Sequence, residues 1–326
     1  MGTWLVTGGA GYIGSHVVRR LVEAGRAVVV IDDLSTGFRE FVPDAVPFVE
    51  SSVTDEAAVA TTLRDYGVTG VVHLAALKYA GVSMEEPLRF YRANVEGTRA
   101  LLAAMVATGV EQLVYSSSSS VYGTPVADRV VESTPWAPES PYGETKLIGE
   151  WLVADTARIH PLRHTSLRYF NVVGSGYDDL YDASPHNLFP LVFRAIEAGE
   201  APQVNGVDYP TPDGSCVRDY VHVGDLADAH VLAAVRLEEG RSLRPVYNVG
   251  NGTGASVIEV IDTVADVLGM DIEPRIAPRR PGDPARIVAD GTLAREDLGW
   301  KPQHDLADMV SGAWSAWQHR LRTRDE

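Results

Sequence analysis

Thr7-Gly8-Gly9-Ala10-Gly11-Tyr12-Ile13-Gly14 follows a short apolar strand, Trp4–Thr7, and opens a helical pattern. Glycine at 8, 11 and 14 permits a sharp turn and a close approach of backbone N–H groups to a pyrophosphate at the positive end of the helix. A glycine-rich turn by itself is also found as a plain tight connection. Its position at the first βα turn of an alternating α/β pattern favours a dinucleotide site. Asp32 ends the next strand, Ala27–Asp32, about twenty residues on, where a carboxylate accepts from the adenosine ribose hydroxyls and repels a 2′-phosphate. NAD is therefore expected rather than NADP. The competing reading of Asp32 is a strand-end or turn cap.

Outward from this turn, Val/Ile/Leu-rich runs alternate with helical stretches, as in βαβ units around a buried parallel sheet. Further strands are expected at Gly70–Leu74, Gln112–Ser116 and Thr165–Tyr169. Leu88, Tyr91, Val95, Leu101, Leu102 and Met105 fall on one helical stripe that Gly109 stops. After about residue 170, Gly, Pro, Asp and Tyr become frequent, and Tyr209–Gly214 reads as tight turns. A helix from Ser256 carries Glu259 in a capping-box position and ends near Gly269. The expectation is an α/β chain: a Rossmann-type, doubly wound parallel sheet with a smaller, loop-rich C-terminal lobe for substrate. The division falls at 1–170 for the dinucleotide lobe, with a return segment around 218–238, and 171–326 for the substrate lobe.

The chain has 326 residues, 45% hydrophobic, enough for one large core or two fused lobes around a cleft. No apolar run is long enough to span a bilayer, and the first strand begins almost at Met1 without a basic leader. A single cysteine, Cys216, forms neither an internal disulfide nor a thiolate cluster. A reducing, cytoplasmic location is expected. The net charge of −16, with no long basic run, argues against nucleic-acid binding. The nine histidines hold no His-Glu-x-x-His spacing, so no metal is expected, and His73, His222 and His230 read as packed or capping residues.

Tyr142-Gly-Glu-Thr-Lys146 places a phenol and an ammonium four apart, on one face of a helix. The run Ser116–Ser120 ends a preceding strand. Together they supply a phenol acid/base, a cation to stabilise its phenolate and a bridging hydroxyl. A free tyrosine has a pKa near 10, and a close cation lowers it by roughly one to three units. Tyr and Lys at this spacing also occur on ordinary surfaces; the glycine turn and the serine run are what give the pair meaning.

Nearly the whole chain resembles the UDP-glucose 4-epimerase family of extended short-chain dehydrogenases. The stretches that carry the resemblance are TGGAGYIGSH (7–16), DDLSTG (32–37), HLAALKYAGVSMEEP (73–87), NVEGT (94–98), SSSSSVYG (116–123), SPYGETK (140–146), LRYFNVVGS (167–175), DYPTPDGSCVRDYVHVGDLA (208–227) and PRRPGD (278–283). The resemblance implies reversible, NAD-dependent 4-epimerisation of a UDP-sugar, with UDP-glucose and UDP-galactose foremost, through a transient 4-ketopyranose. It implies Tyr142 as acid/base, Lys146 as the group that lowers its pKa and holds the nicotinamide ribose, and Ser118 beside the sugar 4-hydroxyl. Gly8, Gly11, Tyr12, Ile13, Gly14, Asp32, Lys78, Asn94 and Phe170 become cofactor contacts. Asn171, Asn187, Leu188, Asn205, Arg218, Arg280, Asp283 and Ile287 become contacts to the UDP-sugar. Arginines are the planar donors suited to a diphosphate, although each alone also suits a surface ion pair.

Related dehydratases and decarboxylases carry an acid just after the catalytic Ser/Thr stretch, where this chain has Ser119 and Ser120. A non-catalytic NAD sensor has no need of Ser118, Tyr142 and Lys146 together. Three positions depart from some family members. Ser52 stands where an acid often meets the adenine, and Asn205 where an aromatic often packs on the uracil. Ile287 is intermediate in size at a position the resemblance identifies as a gate for the sugar, which keeps UDP-N-acetylhexosamines, UDP-pentoses and UDP-uronates open. The resemblance also implies a homodimer, through helices around Leu88–Met105 and Lys146–Ile159.

Overall fold

A computed structural model describes residues 2–127, 129–280 and 283–324, so positions 281–282 of the PRRPGD stretch lie outside the described residues. The first half runs β1 (Thr3–Thr7), α1 (Tyr12–Glu23), β2 (Ala27–Asp32), β3 (Phe48–Glu50), α2 (Glu56–Asp65), β4 (Val68–His73), α3 (Ala80–Glu85), α4 (Pro87–Phe90), α5 (Gly97–Thr108), β5 (Gln112–Ser118), α6 (Pro141–Ile159) and β6 (Arg163–Tyr169). The second half adds β7 (Asn171–Val173), α7 (Leu188–Glu197), β8 (Gln203–Asn205), β9 (Val217–Arg218), β10 (Tyr220–His222), α8 (Val223–Glu238), β11 (Val246–Val249), β12 (Ala255–Ser256), α9 (Val257–Leu268), β13 (Arg275–Ala277), β14 (Arg286–Ile287) and α10 (Leu306–Arg324).

Seven strands form one sheet in the order β11-β6-β5-β4-β1-β2-β3. Every pairing in it is parallel. This is the expected doubly wound Rossmann-type arrangement. The order reverses between β1 and β4, and in such sheets the crevice beyond the carboxyl ends at that reversal receives the ligand. The chain returns to this sheet after residue 170: α8 packs against α1, and β11 pairs with β6. Thus α8 falls within the expected return segment and β11 beyond it.

Side chains alternate across each strand, which divides the core. Trp4 and Val6 join the cluster under α1 and α8, with Val17, Leu21, Leu226 and Leu237. Leu5 joins the opposite cluster, with Leu63, Val71, Leu101 and Met105. A third cluster, including Phe189, Phe193, Ile261 and Trp317, lies among α7, α9 and α10.

Local signals explain the ends of several elements. Ser256 and Glu259 make the expected capping box, and Gly269 ends α9 in the left-handed conformation. Gly109 ends α5 in the same way. The stripe read from Leu88 to Met105 is interrupted, because Tyr91–Glu96 forms a π-helical turn. That turn shifts the register: Leu101, Leu102 and Met105 are buried while Leu88 is exposed. His222 caps α8 by accepting from the Gly224 N–H at 3.0 Å. His73 is bonded to Thr7 and Thr98, and His230 to Ser116 and the Leu226 carbonyl.

Candidate active site

The loop after β1 is shaped for glycine. Gly8 has φ +72°, which L side chains rarely adopt, and a Cβ on Gly14 would stand 2.0 Å from the Gly8 carbonyl oxygen. Helix α1 begins with Gly11 at its cap, no side-chain hydrogen bond there and no acid in its first turn. Its leading N–H groups therefore face the cleft ready for an anion, a fit for a dinucleotide pyrophosphate. A cavity of about 450 Å³ follows, lined by Gly8, Gly11, Tyr12, Ile13, Gly14, Asp32, Ser52, Lys78, Tyr142 and Lys146 among others.

Asp32 lines that cavity and also caps the loop. Its carboxylate accepts from the Ala10 N–H at 3.0 Å and the Leu34 N–H at 2.9 Å. Burial raises its pKa, and these two donors oppose the rise. Asp32 is thus a turn cap, and each carboxylate oxygen retains a lone pair for a further donor.

Ser118 is the last residue of β5, while Tyr142 and Lys146 occupy successive turns of α6. Ser140 starts that helix by accepting from the Gly143 N–H at 3.2 Å, and Pro141 fits the first turn, where no N–H is needed. The Lys146 ammonium donates to the Ser116 carbonyl at 2.8 Å, and burial pushes its pKa down to about 8. Burial raises the Tyr142 phenol above its ordinary value, and a hydrogen bond with Ser118 opposes this. A phenol so placed is held protonated until further positive charge reaches it.

A second cavity, about 610 Å³, is lined by Ser118, Tyr142, Phe170, Asn171, Asn187, Leu188, Asn205, Arg218, Arg280 and Asp283, among others. Tyr12, Ile13, Lys78, Tyr142 and Tyr169 line both cavities, so the phenol lies where the two meet. Arg218 pairs with Asp283. The Asn205 amide, turned with its oxygen toward Arg280, accepts from that guanidinium at 3.2 and 3.3 Å.

Some expected contacts are placed differently. Asn94 is 2% exposed and bonded to Leu77 and Thr145, between the β4 loop and α6. Phe170 lines the second cavity rather than the first. Ile287 lines neither; it packs in a buried cluster with Tyr122, Leu147 and Phe170 because β14 pairs with β9 and turns it inward. Sequence reading missed Asp182, which accepts from the Asn187 amide at 2.6 Å and stands 3.9 Å from the Lys78 ammonium. It lies in an irregular loop, and nothing in the spacing marks it. Among the described residues no group of three His, Cys, Asp or Glu side chains could hold a metal, and no helix is long and apolar enough to cross a membrane.

Residues 4–250 match the model of the NAD dependent epimerase/dehydratase family. The chain is 45% identical over 317 residues to the UDP-glucose 4-epimerase of Streptomyces lividans, covering 96% of this chain and 95% of that one. It is 42% identical over 321 residues to the Azospirillum brasilense UDP-glucose 4-epimerase, covering 97% and 92%. Among solved structures, the UDP-glucose 4-epimerase of Stenotrophomonas maltophila with bound NAD and formylated UDP-arabinopyranose superposes with a TM-score of 0.93 at 40% identity, over 100% of both chains. With its glycine turn, its Tyr142/Lys146 pair and these full-length likenesses, the chain belongs to the NAD dependent epimerase/dehydratase family, among the UDP-glucose 4-epimerases.

Proposed function

We propose that this protein catalyses the reversible, NAD-dependent 4-epimerisation of a UDP-sugar, with UDP-glucose and UDP-galactose as the interconverting pair. The observation that carries the reading is the position of Tyr142 at the junction of two cavities, one shaped for a dinucleotide and one lined by Arg218, Arg275 and Arg280. Tyr142 takes the proton of the sugar 4-hydroxyl and gives it back. Lys146, together with the cationic nicotinamide that NAD would bring to the first cavity, supplies the positive charge that lets the phenol ionise, and Ser118 holds the hydroxyl in line. NAD held by the residues of the first cavity would supply the hydride acceptor for sugar C4 and its return to the opposite face of the 4-keto sugar, so the cycle is redox-neutral.

The proposed residue roles rest on that geometry together with the family resemblance. The α1 N-terminus with Gly8, Gly11 and Gly14 receives the pyrophosphate, Asp32 the adenosine ribose, and Lys78 and Lys146 the nicotinamide end. Arg218 and Arg280 bind the UDP diphosphate, a planar bidentate match, while Asn171 and Asn187 border the sugar. Residues 1–170 with the return segment form the cofactor lobe, and most of 171–326 the UDP-sugar lobe. A cytoplasmic homodimer is part of the proposal: α4 to α6 leave Leu88, Trp151 and Ile159 exposed, apolar surface that a second copy would cover. Light scattering at micromolar concentration checks the dimer.

The test of function is direct. Purified protein is incubated with UDP-galactose and NAD, and the nucleotide sugars are separated by chromatography. Appearance of UDP-glucose is expected; no interconversion of any UDP-hexose rejects the assignment.

A further inference from the structure

Glu150 stands one helical turn beyond Lys146 on α6, with its side chain 10% exposed, and it faces Arg168 of β6, which is 1% exposed. One Glu150 oxygen accepts from the Ser117 hydroxyl and from Arg168 Nε at 2.8 Å; the other accepts from an Arg168 terminal nitrogen at 2.6 Å. The remaining terminal nitrogen donates to the Tyr122 hydroxyl at 2.8 Å, which donates to the Asn248 side chain on β11 at 2.7 Å. The guanidinium is thus fixed from several sides, and it fixes the carboxylate in turn.

The consequence lies on β5. Lys146 holds the Ser116 carbonyl and Glu150 holds the Ser117 hydroxyl, so neighbouring residues of the strand are gripped by successive turns of one helix. The next residue along the strand is Ser118. A buried ion pair contributes little stability over apolar packing of the same volume, whereas its directional bonds specify one register.

We infer that Glu150, clamped by Arg168, is a positioning residue for the reaction: it sets α6 against β5 so that Tyr142, Lys146 and Ser118 stay in register, and it keeps the Lys146 ammonium charged. This rests on the reading of those three residues given above. Burial depresses Lys146, and the Glu150 carboxylate acts against that depression. The other groups around the ammonium do not replace it. The Tyr115 ring of β5 lies 5.5 Å away, His73 of β4 is held neutral by burial and by the Lys146 charge, and Tyr142 of α6 and Tyr169 of β6 are phenols raised by burial.

The chain has only three lysines, at 78, 146 and 301, so labelled-lysine NMR resolves the titration of Lys146. In Glu150→Gln, a shape-preserving change, the Lys146 titration and the alkaline limb of the kcat–pH profile should both move down by about one pH unit. Thermal unfolding and far-UV circular dichroism establish that the variant is folded. A folded Glu150→Gln whose Lys146 titrates as in wild type overturns the inference. Glu150→Asp keeps the charge but withdraws it by one methylene, and it serves if the glutamine variant does not fold. It should give a smaller downward shift with a several-fold loss of kcat; wild-type values of both overturn the inference. If wild type itself epimerises nothing, the functional reading fails, while the lysine titration still decides the effect of Glu150 on Lys146.

Discussion

Asn94 and Leu77 are joined by a reciprocal pair of hydrogen bonds: the carboxamide oxygen accepts from the Leu77 N–H at 2.8 Å, and the amide nitrogen donates to the Leu77 carbonyl at 3.0 Å. The same nitrogen reaches the Thr145 hydroxyl at 2.9 Å. One side chain, swung inward by the π-helical turn, therefore couples the loop bearing Lys78 to the helix bearing Tyr142 and Lys146.

Replacement of Asn94 by Leu leaves a part-buried N–H and carbonyl of Leu77 without these partners, a loss of about 1 kcal/mol or more. A lower unfolding midpoint and weaker NAD binding are expected together, read by thermal denaturation and calorimetric titration. Weaker binding at unchanged stability would instead mark Asn94 as a direct cofactor contact with no clamping role.

Tyr142→Phe removes the phenolic oxygen and keeps the ring that packs at the junction of the cavities. Turnover should fall by at least 10²-fold, the lower end of what positioned proton transfer contributes. NAD and UDP affinities should stay within a few-fold of wild type. A variant that turns over as fast as the parent would remove Tyr142 from the reaction.

The parts of this fold legible in sequence are those whose signal is local. Val28–Ile31 and Val71–Val72 announce buried strands by composition, and Gly8, Gly11 and Gly14 announce the turn by spacing. The strands not foreseen are short: β3 and β11 of the large sheet have three and four residues, and β7 to β10 and β12 to β14 have two or three, too few to show a period. Asn94 was legible as important but not in its contacts, because its partners lie 17 and 51 residues away. Ile287 shows the same limit: its place behind Phe170 follows from the pairing of β14 with β9, which no local pattern encodes. Asp182 was invisible because an isolated aspartate in an irregular loop looks like any solvated turn residue.

Gly14→Ala tests the phosphate loop. The added methyl meets backbone at 2.0 Å, the Gly8 carbonyl, and 2.9 Å, the Gly9 Cα, and neither can swing aside as a side-chain tip would. The loop must shift, with a loss on the order of 1–3 kcal/mol from overpacking. NAD affinity should fall at least tenfold even where the protein remains folded. Unaltered NAD affinity in a calorimetric titration would show that the cofactor does not approach this turn.

Acid should destabilise the protein through its buried histidines. Burial lowers His16 and His73 to about 3 and His222 and His230 to about 4, so all four stay neutral in the fold at pH 5. Unfolded histidine binds a proton near 6.5. Between those values the unfolded state holds more protons, so stability is complete above about pH 6.5 and is lost as pH falls toward 4, by up to about 2 kcal/mol per histidine at pH 5. Acidification also relieves repulsion in a chain of net charge −16, which acts in the other direction. His222→Asn separates the two effects, because asparagine can still accept from the Gly224 N–H at the start of α8 but does not titrate. The unfolding midpoint of wild type should drop between pH 7.5 and pH 5, and that of His222→Asn should drop less. Equal drops in the two proteins would show that His222 contributes nothing to the acid lability.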